Sequence, residues 1–377
     1  MKRTLIFDDS VKGHHLEYIH HLYCGAVSDI EGKYIFILNP DFKKVSNKFN
    51  WPQCSNITIF YLSDKDIVNL NKEGLIKSFY LCKVLKEVII KYNVDRVFLI
   101  SLMAFMPFLP FFVNKKIKIS GIVYLIYLYR WKNASFQVRL LDVIKYLIFA
   151  NIKKFEKIYL LNDRIAPVYL NKKFKTNVFS YLPDPFTPLS IEKNRNLRNE
   201  LNIPVEKIIC IHFGALTARK GTLELMQAIT LAQESALNKC CFIFAGEIYN
   251  DIKKSFYQLA KQAEKMTQII IIDQFCDYEF IGSLCLTSDF ILIPYKDSEQ
   301  SSGVIGYAAQ FGIPVVGPGW GLLGKLIKRN NLGFLLKNTS AFEITNFINN
   351  IERFSFSTKT NYIQNNTVIQ FTNTIFK

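Results

Sequence analysis

The chain is short of acidic residues and therefore carries a large positive charge. Its 377 residues include 31 aspartates and glutamates against 47 lysines and arginines, which gives a formal net charge of +16 at pH 7. An excess of this size favours an anionic partner: a nucleic acid, a membrane surface or a phosphorylated substrate. Because the cations are spread in short pairs such as Lys115-Lys116 and Lys172-Lys173, we expect most of them on solvated faces rather than in one binding stripe.

The eight cysteines have neither the spacing of a disulfide framework nor that of a zinc site. No Cys-x-x-Cys pair occurs, and the adjacent Cys240 and Cys241 lie in an apolar run that is typical of a strand. This pattern favours buried, reduced thiols in a cytosolic protein. The histidines predict no metal site either. His14 and His21 would lie about 10.5 Å apart along a helix, whereas zinc–nitrogen bonds are about 2.0–2.1 Å.

No hydrophobic run is long enough for a membrane span or a secretory signal. The N-terminal apolar core is only 5–7, against about 7–15 residues in a signal peptide. The longest run, 97–113, contains two prolines and falls short of the roughly 20 residues that a spanning helix needs. We interpret it as a buried strand followed by a buried helix; the alternative is a patch that dips into one membrane face. We therefore expect a cytoplasmic protein, either free or peripheral on the inner face of the plasma membrane.

Half of the residues are hydrophobic, and apolar runs alternate with helix-like patterns along the chain. In the front half, a helix pattern over 14–28 follows the first strand, and 67–92 contains the longest one. The strand candidates of this half are 3–7, 34–38, 57–61, 96–101, 119–125 and 157–161. Those of the second half are 208–213, 241–245, 269–273, 290–294, 314–317 and 333–336, with helix patterns near 222–236, 251–265, 278–287, 303–311 and 321–330. This βαβα order predicts parallel sheets covered on both faces by helices.

A segment rich in proline and charge separates the two halves. Three prolines fall within 183–188, and a polar stretch over 192–200 follows, which is the composition of a linker. We therefore predict an α/β protein with two Rossmann-like doubly wound domains, 1–185 and 186–360, that face a ligand-binding cleft. The remaining residues, 361–377, are expected to form a helix that packs back on the N-terminal domain.

A glycine turn with two cations follows the first strand of the second domain. It reads H-F-G-A-L-T-A-R-K-G over 212–221 and leads into a helix pattern. Cations at a helix start oppose the helix dipole by roughly 0.3–1 kcal/mol, whereas the free N–H groups there attract phosphate. We therefore expect Arg219 and Lys220 to bind a phosphate together with the turn at Gly214. The alternative is two exposed cations on a loop.

A second helix start suited to anions lies further along the chain. The strand at 290–294 is followed by E-Q-S-S-G over 299–303, then a helix pattern, then G-I-P-V-V over 312–316. Gly303 lets the backbone approach a ligand closely, and Glu299 can accept hydrogen bonds from sugar hydroxyls. The alternative is an ordinary helix start with Ser302 as the N-cap, which would explain one serine but not the whole cluster.

Together, the two segments resemble the nucleotide-sugar half of GT-B glycosyltransferases, in particular glycosyltransferase family 4. The family pattern has a glycine-rich turn ending in Lys-Gly, two glutamates eight positions apart, a small-residue helix and Gly-x-Pro-Val-Val. Here these positions are Lys220-Gly221, Glu299 and 312–316, but Tyr307 stands at the second glutamate and Ala215 where the family often has arginine. The resemblance covers 207–336, and the first domain matches only in its rhythm and in Gly13-His14.

The resemblance implies a GT-B fold and a metal-independent glycosyltransferase without a cofactor, which moves a sugar from a nucleotide diphosphate-sugar with retention of configuration. Lys220 and Arg219 would neutralise the diphosphate, and Glu299 would orient the sugar; these three are our catalytic candidates. Gln274 and Phe275 lie where similar enzymes contact the base. The donor-binding candidates are Gly13, His14, Gly214, Gly246, Gln274, Phe275, Ser301, Ser302, Gly303 and Tyr307.

The expected acceptor is a saccharide, in particular a lipid-linked saccharide of cell-envelope polysaccharide synthesis. The charge and the aromatic run at 97–113 favour docking to an anionic membrane. Two alternatives stay open. A sugar-nucleotide epimerase with the same fold would want carboxylates near the sugar, and the chain offers only Glu299 clearly. A non-enzymatic nucleic-acid binder would fit the charge but would interleave basic and aromatic residues; the phenylalanines lie in apolar runs instead, so we expect no nucleic-acid partner.

Overall fold

The structure is a computed structural model that describes residues 2–11, 13–131, 134–189, 191, 196–354, 356 and 358–376. It divides into two compact units. The first unit comprises 1–185 together with 367–377, and the second unit comprises 186–366. Each unit is built around its own parallel β-sheet.

The first unit has seven strands: β1 (Arg3–Asp8), β2 (Lys33–Leu38), β3 (Ile57–Tyr61), β4 (Arg96–Leu99), β5 (Lys118–Val123), β6 (Phe155–Leu161) and β7 (Phe179–Leu182). They pair in parallel in the order β3-β2-β1-β4-β5-β6-β7. The order reverses direction at β1, as in a doubly wound sheet. The helices between them are α1 (His15–Ser28), α2 (Phe42–Val45), α3 (Asp64–Leu70), α4 (Gly74–Tyr92), α5 (Leu109–Phe112), α6 (Tyr127–Arg130), α7 (Phe136–Asn151) and α8 (Ile165–Phe174).

The second unit has six strands: β8 (Ile208–Phe213), β9 (Cys240–Ala245), β10 (Gln268–Ile272), β11 (Phe290–Leu292), β12 (Val315–Pro318) and β13 (Gly333–Leu336). They pair in parallel in the order β10-β9-β8-β11-β12-β13. Its helices are α9 (Leu197–Glu200), α10 (Thr222–Leu231), α11 (Glu234–Leu237), α12 (Asn250–Ala263), α13 (Tyr278–Thr287), α14 (Val304–Phe311), α15 (Gly321–Arg329), α16 (Ala341–Asn349) and α17 (Tyr362–Asn365).

Alternate residues of the central strands in the second unit face two different hydrophobic cores. Cys210 of β8 and Cys240 of β9 lie in the core that contains α10, α12 and α16, whereas Ile211 and Cys241 lie in the core that contains α13 and α14. This alternation follows from the period of two along a strand, and it explains why both strands are apolar throughout. All eight cysteines are free thiols.

The C-terminal segment contributes to both units. We expected one helix over 361–377, but the structure has α17 in the second unit and α18 (Val368–Phe376) in the first. The break falls at Asn366-Thr367, polar residues whose side chains compete with the helix backbone for hydrogen bonds. The chain therefore returns to the first unit with one short helix.

The helix α18 completes the core of the first unit. It packs against α1, where an added Cβ on Gly25 would lie 2.5 Å from the Phe376 ring. Phe371 is fully buried in the core that also contains side chains of α1 and of the sheet. Tyr159 of β6 donates a hydrogen bond to the Thr374 carbonyl at 3.0 Å. These contacts fix α18 as an integral part of this unit.

The apolar run 97–113 is more broken than the sequence predicted. The expected buried strand is present as β4, but a 3-10 turn over Leu102–Phe105 and the one-turn helix α5 replace the expected single helix. The two prolines of the run lack the backbone donors that a continuous helix needs. Phe105 is fully buried whereas Phe111 is 81% exposed, so the run is only partly buried. Among the described residues, no helix has the length and apolarity to cross a membrane.

Candidate functional site

The predicted donor-binding residues of the second unit lie at the carboxyl ends of four adjacent strands. Gly214 follows β8, Gly246 follows β9, Gln274 follows the end of β10, and the loop that carries Glu299 leaves β11. Because β10, β9, β8 and β11 are neighbours in the sheet, these loops meet at one edge. This edge is where ligands bind in open parallel sheets.

The loops after β8 and β9 approach each other so closely that Gly246 has no room for a side chain. Its φ is +139°, and an added Cβ would lie 2.1 Å from the Gly214 carbonyl oxygen. The Gly214 amide donates to the Ala245 carbonyl at 2.9 Å, and the Gly246 amide donates to the Ile272 carbonyl at 2.9 Å. The hydrogen bonding of the sheet thus extends into the site and fixes the Gly214 backbone.

The turn between β8 and α10 holds the Lys220 ammonium at the strand ends. Gly221 precedes α10 with a φ of +71°, and it packs so tightly that an added Cβ would lie 2.1 Å from the Pro294 carbonyl oxygen. From this fixed turn, Lys220 reaches back across the end of β8. Its Nζ lies 5.4 Å from the centroid of the Tyr295 ring and 2.8 Å from the position of a Cβ added to Gly214. Among the described residues, Lys220 has no ion-pair partner.

Three buried oxygens of this region have no hydrogen-bond partner in the part of the chain that the structure describes. They are the hydroxyl of Thr217 in the turn, one carboxylate oxygen of Glu224 in the first turn of α10, and the phenol of Tyr295. Buried polar groups are almost always hydrogen-bonded, so unpartnered ones mark places where a ligand or an ordered water binds. The turn therefore has unused hydrogen-bonding capacity for a polar ligand.

Two further cations lie near Lys220 in different environments: Arg219 in the same turn and Lys296 in the loop after β11. Lys296 is tied down, with its Nζ 2.5 Å from Glu224 and its backbone N–H donating to the Arg219 carbonyl at 3.0 Å. The Arg219 side chain is exposed. Because Lys296 compensates Glu224, the charge of Lys220 remains for an anionic ligand.

A buried histidine, which was not among the predicted site residues, connects this turn to the sheet. His212 of β8 lies with Nδ1 2.8 Å from the Leu292 carbonyl and Nε2 3.0 Å from the Thr222 hydroxyl. Burial lowers the pKa of His212 to about 4, so the ring is neutral at neutral pH. The neutral ring can then donate to Leu292 and accept from Thr222, which joins β8, β11 and the start of α10.

The loop after β11 is anchored at Ser298. Ser298 is buried, and its carbonyl accepts a hydrogen bond from the Leu323 amide of α15 at 3.0 Å. Glu299 and Ser301 are half-buried on this loop. The alternative with Ser302 as N-cap is wrong, since α14 has Gly303 as its N-cap residue and no side-chain cap. The start of α14 therefore lies at the same edge without a capping side chain.

Tyr307, which stands where the family pattern has its second glutamate, takes part in an aromatic cluster. Its ring makes edge contacts with Phe213 at the end of β8, at 5.6 Å between centroids, and with Phe186 at 5.5 Å. The Phe186 ring also covers Gly306, where an added Cβ would lie 2.1 Å from it. The position thus packs α14 against the end of β8.

The residues after β10 form a rim at this edge. Gln274 is exposed, and the Phe275 side chain is 75% exposed. Asp273 lies between the end of β10 and this rim. Its carboxylate accepts a hydrogen bond from the Ile248 amide at 2.8 Å and forms an ion pair with the Lys253 Nζ at 2.7 Å. An aromatic ring at the end of an ordered strand is suited to stack on a flat group such as a nucleobase.

In the first unit, the predicted residues Gly13 and His14 lie on the surface between β1 and α1. Gly13 has a φ of +62° with no atom within 4 Å of an added Cβ, and His14 contacts Glu17 at 3.2 Å. The doublet His14-His15 was expected on a helix surface, but His15 turns inward to contact Asp8. The doublet of histidines was the available signal, but the phase of α1 decides which one is enclosed.

No group of three or more His, Cys, Asp and Glu side chains that could hold a metal ion occurs in the described part of the chain. The one Asp-x-Asp triplet of the first unit, 64–66, serves a different purpose. Asp66 and Ser63 form a capping box at the start of α3. The triplet is therefore explained by local helix capping.

The fold is that of known two-domain proteins. HepE of Anabaena, in complex with UDP and glucose, shares 16% of residues, with 100% of this chain and 98% of HepE covered at a TM-score of 0.66. Sucrose-phosphate synthase of Thermosynechococcus elongatus has 13% sequence identity to this chain. The match covers 100% of this chain and 97% of that protein, at a TM-score of 0.69. WaaG, a glycosyltransferase involved in lipopolysaccharide biosynthesis, has 13% sequence identity to this chain. The match covers 93% of this chain and 90% of WaaG, at a TM-score of 0.65. The chain has the GT-B fold, which confirms the predicted α/β architecture of two Rossmann-like domains.

The family comparison concerns the second unit. Residues 193–367 match the family model of the glycosyl transferases group 1. The matched segment contains the Lys220 turn, the loop with Glu299 and the aromatic position Tyr307. Comparison with the curated proteins gives no match for the chain.

Proposed function

We propose that this chain is a glycosyltransferase that moves a sugar from a nucleoside diphosphate-sugar to an acceptor hydroxyl. The observation that carries the proposal is the Lys220 ammonium, which has no ion-pair partner among the described residues and is fixed beside Gly214 where the strands end. The family match over 193–367 supports a donor site in this unit. The complex of HepE with UDP and glucose supports a uridine nucleotide as the donor to test first.

In the proposed reaction, the acceptor oxygen bonds to the anomeric carbon while the bond from that carbon to the diphosphate breaks. The electron pair of the broken bond stays on the diphosphate, whose negative charge grows. Lys220, Arg219 and the free amides at the start of α10 stabilise this charge without a metal ion. Glu299 and the loop 301–303 hold the sugar hydroxyls, and the exposed Phe275 ring stacks on the base. We propose retention of configuration, as the resemblance to family 4 implies.

The test compares UDP binding of the parent chain with that of a Lys220→Ala variant by isothermal titration calorimetry. We expect the variant to bind UDP at least about tenfold more weakly, because a hydrogen bond to a charged group contributes roughly 1.5–3 kcal/mol. Lys328→Ala, which removes an exposed lysine in the last turn of α15, is the matched control and should bind UDP like the parent. Equal UDP affinity of the parent and the Lys220→Ala protein would sink the proposal.

We also propose that the first unit docks on an anionic membrane surface, with a lipid-linked saccharide of cell-envelope polysaccharide synthesis as the acceptor. The charge distribution supports this. The first unit has 29 basic and 15 acidic residues, a net charge of +14, whereas the second has 18 and 16, a net charge of +2. Almost all of the positive excess therefore belongs to the first unit, where each basic residue near an anionic surface contributes about 1 kcal/mol. The protein would then be cytoplasmic and peripheral on the inner face of the plasma membrane.

The helix α7 supplies an apolar face for this docking. Phe136, Leu140, Ile144 and Leu147 recur at helical spacing along one side, and all four are exposed, Phe136 to 79%. Exposed apolar side chains in one stripe on a basic unit are typical of a helix that lies in the membrane interface. The charge complementarity favours anionic lipid as the occupant of this face.

The membrane proposal is tested by co-sedimentation with vesicles of phosphatidylcholine alone and with 30% phosphatidylglycerol added. We expect binding only to the anionic vesicles, and a marked loss of binding when Phe136 and Leu140 are both changed to serine. Phe342→Ser, an exposed phenylalanine of the second unit, is the control and should leave binding unchanged. Absence of vesicle binding by the parent, or equal binding by the double variant, contradicts the proposal.

A further inference from the structure

The Lys220 ammonium of the second unit lies against an aromatic ring rather than against a carboxylate. Its Nζ is 5.4 Å from the centroid of the Tyr295 ring, which is within the distance of a cation–π contact. The side chain is half-buried and makes no hydrogen bond or ion pair with the described residues. A cation held in one place without an anion needs another group to hold it, and the ring is that neighbour.

The Tyr295 ring is itself firmly held. The residue follows β11, is only 4% exposed and belongs to the core that contains α13 and α14. Its amide donates a hydrogen bond to the Ile293 carbonyl at 2.6 Å. Because side chains packed in a core occupy well-defined rotamers, the face of this ring is a fixed surface for Lys220.

The residues on both sides of Tyr295 also contact the turn between β8 and α10. The Pro294 carbonyl oxygen would lie 2.1 Å from a Cβ added to Gly221, and the Lys296 amide donates a hydrogen bond to the Arg219 carbonyl at 3.0 Å. Three consecutive residues after β11 thus line this turn. Backbone contacts on either side of the ring therefore fix its position relative to the ammonium.

The titratable groups around this turn leave the charge of Lys220 uncompensated. Glu224, the acidic residue in the first turn of α10, has its Oε1 atom 2.5 Å from the Lys296 Nζ. Burial above all, and also the charge of Lys220, lower the pKa of His212 to about 4, so this ring is neutral at neutral pH. The aromatic contact is therefore the interaction that positions the ammonium.

An aromatic ring and a carboxylate hold a lysine in different ways. A carboxylate fixes the ammonium but also neutralises it, so a phosphate that binds there has to compete with the carboxylate. The face of an aromatic ring attracts the ammonium through its quadrupole and carries no net charge. The ring of Tyr295 can therefore fix Lys220 and leave its full charge for an anionic ligand.

We propose that Tyr295 is a positioning residue whose ring holds the Lys220 ammonium in the place where it meets the diphosphate of the donor. This inference rests on the proposed glycosyltransferase function and adds to it a residue that determines donor affinity. The ring acts through Lys220 and does not touch the ligand. Because the lysine is ordered before the ligand binds, it loses less side-chain entropy on binding. The contact with the ring persists in the complex.

The proposal assigns this role to the ring of Tyr295 and not to its hydroxyl. The hydroxyl is buried and has no hydrogen-bond partner among the residues that the structure describes, so Tyr295→Phe breaks no contact within them. We expect Tyr295→Phe to bind UDP within about twofold of the parent, with no decrease in Tm. Tyr295→Leu, which has no ring, should bind UDP about fivefold more weakly.

The decisive test keeps the shape of the ring and changes only its electron density, because Tyr295→Leu also leaves a cavity in the core. Tyr295 of the full chain is replaced by phenylalanine and by its 4-fluoro, 3,5-difluoro and 3,4,5-trifluoro derivatives. Fluorine withdraws electron density from the ring face and weakens its attraction for a cation. We expect the Kd for UDP, measured by calorimetry, to rise with each added fluorine, by about fivefold over the series. The same series in the Lys220→Ala background is the matched control and should show no trend.

The outcomes separate this inference from the proposed function. A Kd that stays constant or falls along the fluorinated series overturns the inference while the proposed function stands. A trend of equal slope in the Lys220→Ala background also overturns it, because the ring would then act without the lysine. So does a Tyr295→Phe protein that binds UDP as weakly as Tyr295→Leu, since the hydroxyl would then be the group that matters. A parent that binds no UDP overturns the proposed function and this inference with it.

Discussion

Gly246 is a residue whose backbone conformation and surroundings both exclude a side chain. Its φ is +139°, and an added Cβ would lie 2.1 Å from the Gly214 carbonyl. We expect Gly246→Ala to lower the free energy of unfolding of the second unit by about 3 kcal/mol, from backbone strain and overpacking together. Gly312→Ala is the control: its φ is +70° but no atom lies within 4 Å, so the loss should be about 1 kcal/mol. Urea denaturation followed by circular dichroism measures both, and equal losses would contradict the steric argument.

His212 makes the stability of the second unit depend on pH. Burial lowers its folded pKa to about 4, against about 6.5 in the unfolded chain. Below pH 6.5 the unfolded state gains a proton that the folded state does not, so this contribution is complete above pH 6.5 and declines as the pH falls towards 4. Between pH 7 and pH 4 the decline is about 3 kcal/mol, since one pKa unit corresponds to about 1.4 kcal/mol.

The measurement compares urea denaturation of the parent and of His212→Gln at pH 7 and pH 4.5. The variant should be less stable than the parent at pH 7, because it loses the hydrogen bonds to Leu292 and Thr222. It should also lose less stability than the parent on acidification. The same loss in both proteins would mean that the pKa of His212 does not differ between the folded and the unfolded chain.

Contiguous motifs were predictable at this scale, and contacts across the fold were not. The turn with Gly214 and Lys220 could be found because its residues follow one another between a strand and a helix. The phenol of Tyr295 near Lys220 could not be predicted, because Tyr295 follows β11 and meets the turn only through the strand order. The inward direction of His15 was not predictable for a related reason, since which histidine of the doublet faces Asp8 depends on the phase of α1.

At the scale of elements, short apolar runs predicted the strands of both sheets except β7. That strand has only four residues and leads directly into the proline-rich segment, so its pattern was too short to detect. The prediction of a single helix over 361–377 was wrong because the apolar pattern is longer than either helix. The apolar spacing continues across Asn366-Thr367, but the polar pair ends α17 and separates it from α18.

The helix α18 is predicted to be essential for the stability of the first unit. Phe371 is fully buried, whereas Ile369 on the same helix is 70% exposed. We expect Phe371→Ala to lower the free energy of unfolding by about 3–5 kcal/mol through the lost burial and the cavity. Ile369→Ala should change it by less than about 0.5 kcal/mol. Hydrogen exchange of α1 and β1 measures the effect, and unchanged protection in Phe371→Ala would mean that α18 is not part of this core.

At the scale of the whole molecule, the charge is distributed very unevenly. The net charge of +14 belongs to the first unit and that of +2 to the second. This division was already predictable from the sequence, because the predicted boundary at 185 gives the first domain 28 basic and 15 acidic residues, a net charge of +13, and 367–377 adds one lysine. A strongly basic unit joined to a nearly neutral one suggests two anionic ligands of different kinds, one recognised by many distributed charges and one by a few fixed groups.

This difference predicts how salt acts on the two proposed interactions. Raising the ionic strength from 0.1 to 1 M shortens the screening length from about 10 Å to about 3 Å. Binding of the first unit to anionic vesicles, which sums many separated charges, should decrease more than about tenfold. UDP affinity should decrease less than about threefold, because in the proposed complex Lys220 contacts the phosphate directly and the amides at the start of α10 carry no net charge. Sedimentation and calorimetry on one preparation measure both, and a parallel loss would mean that UDP is bound by general surface charge rather than by the Lys220 turn.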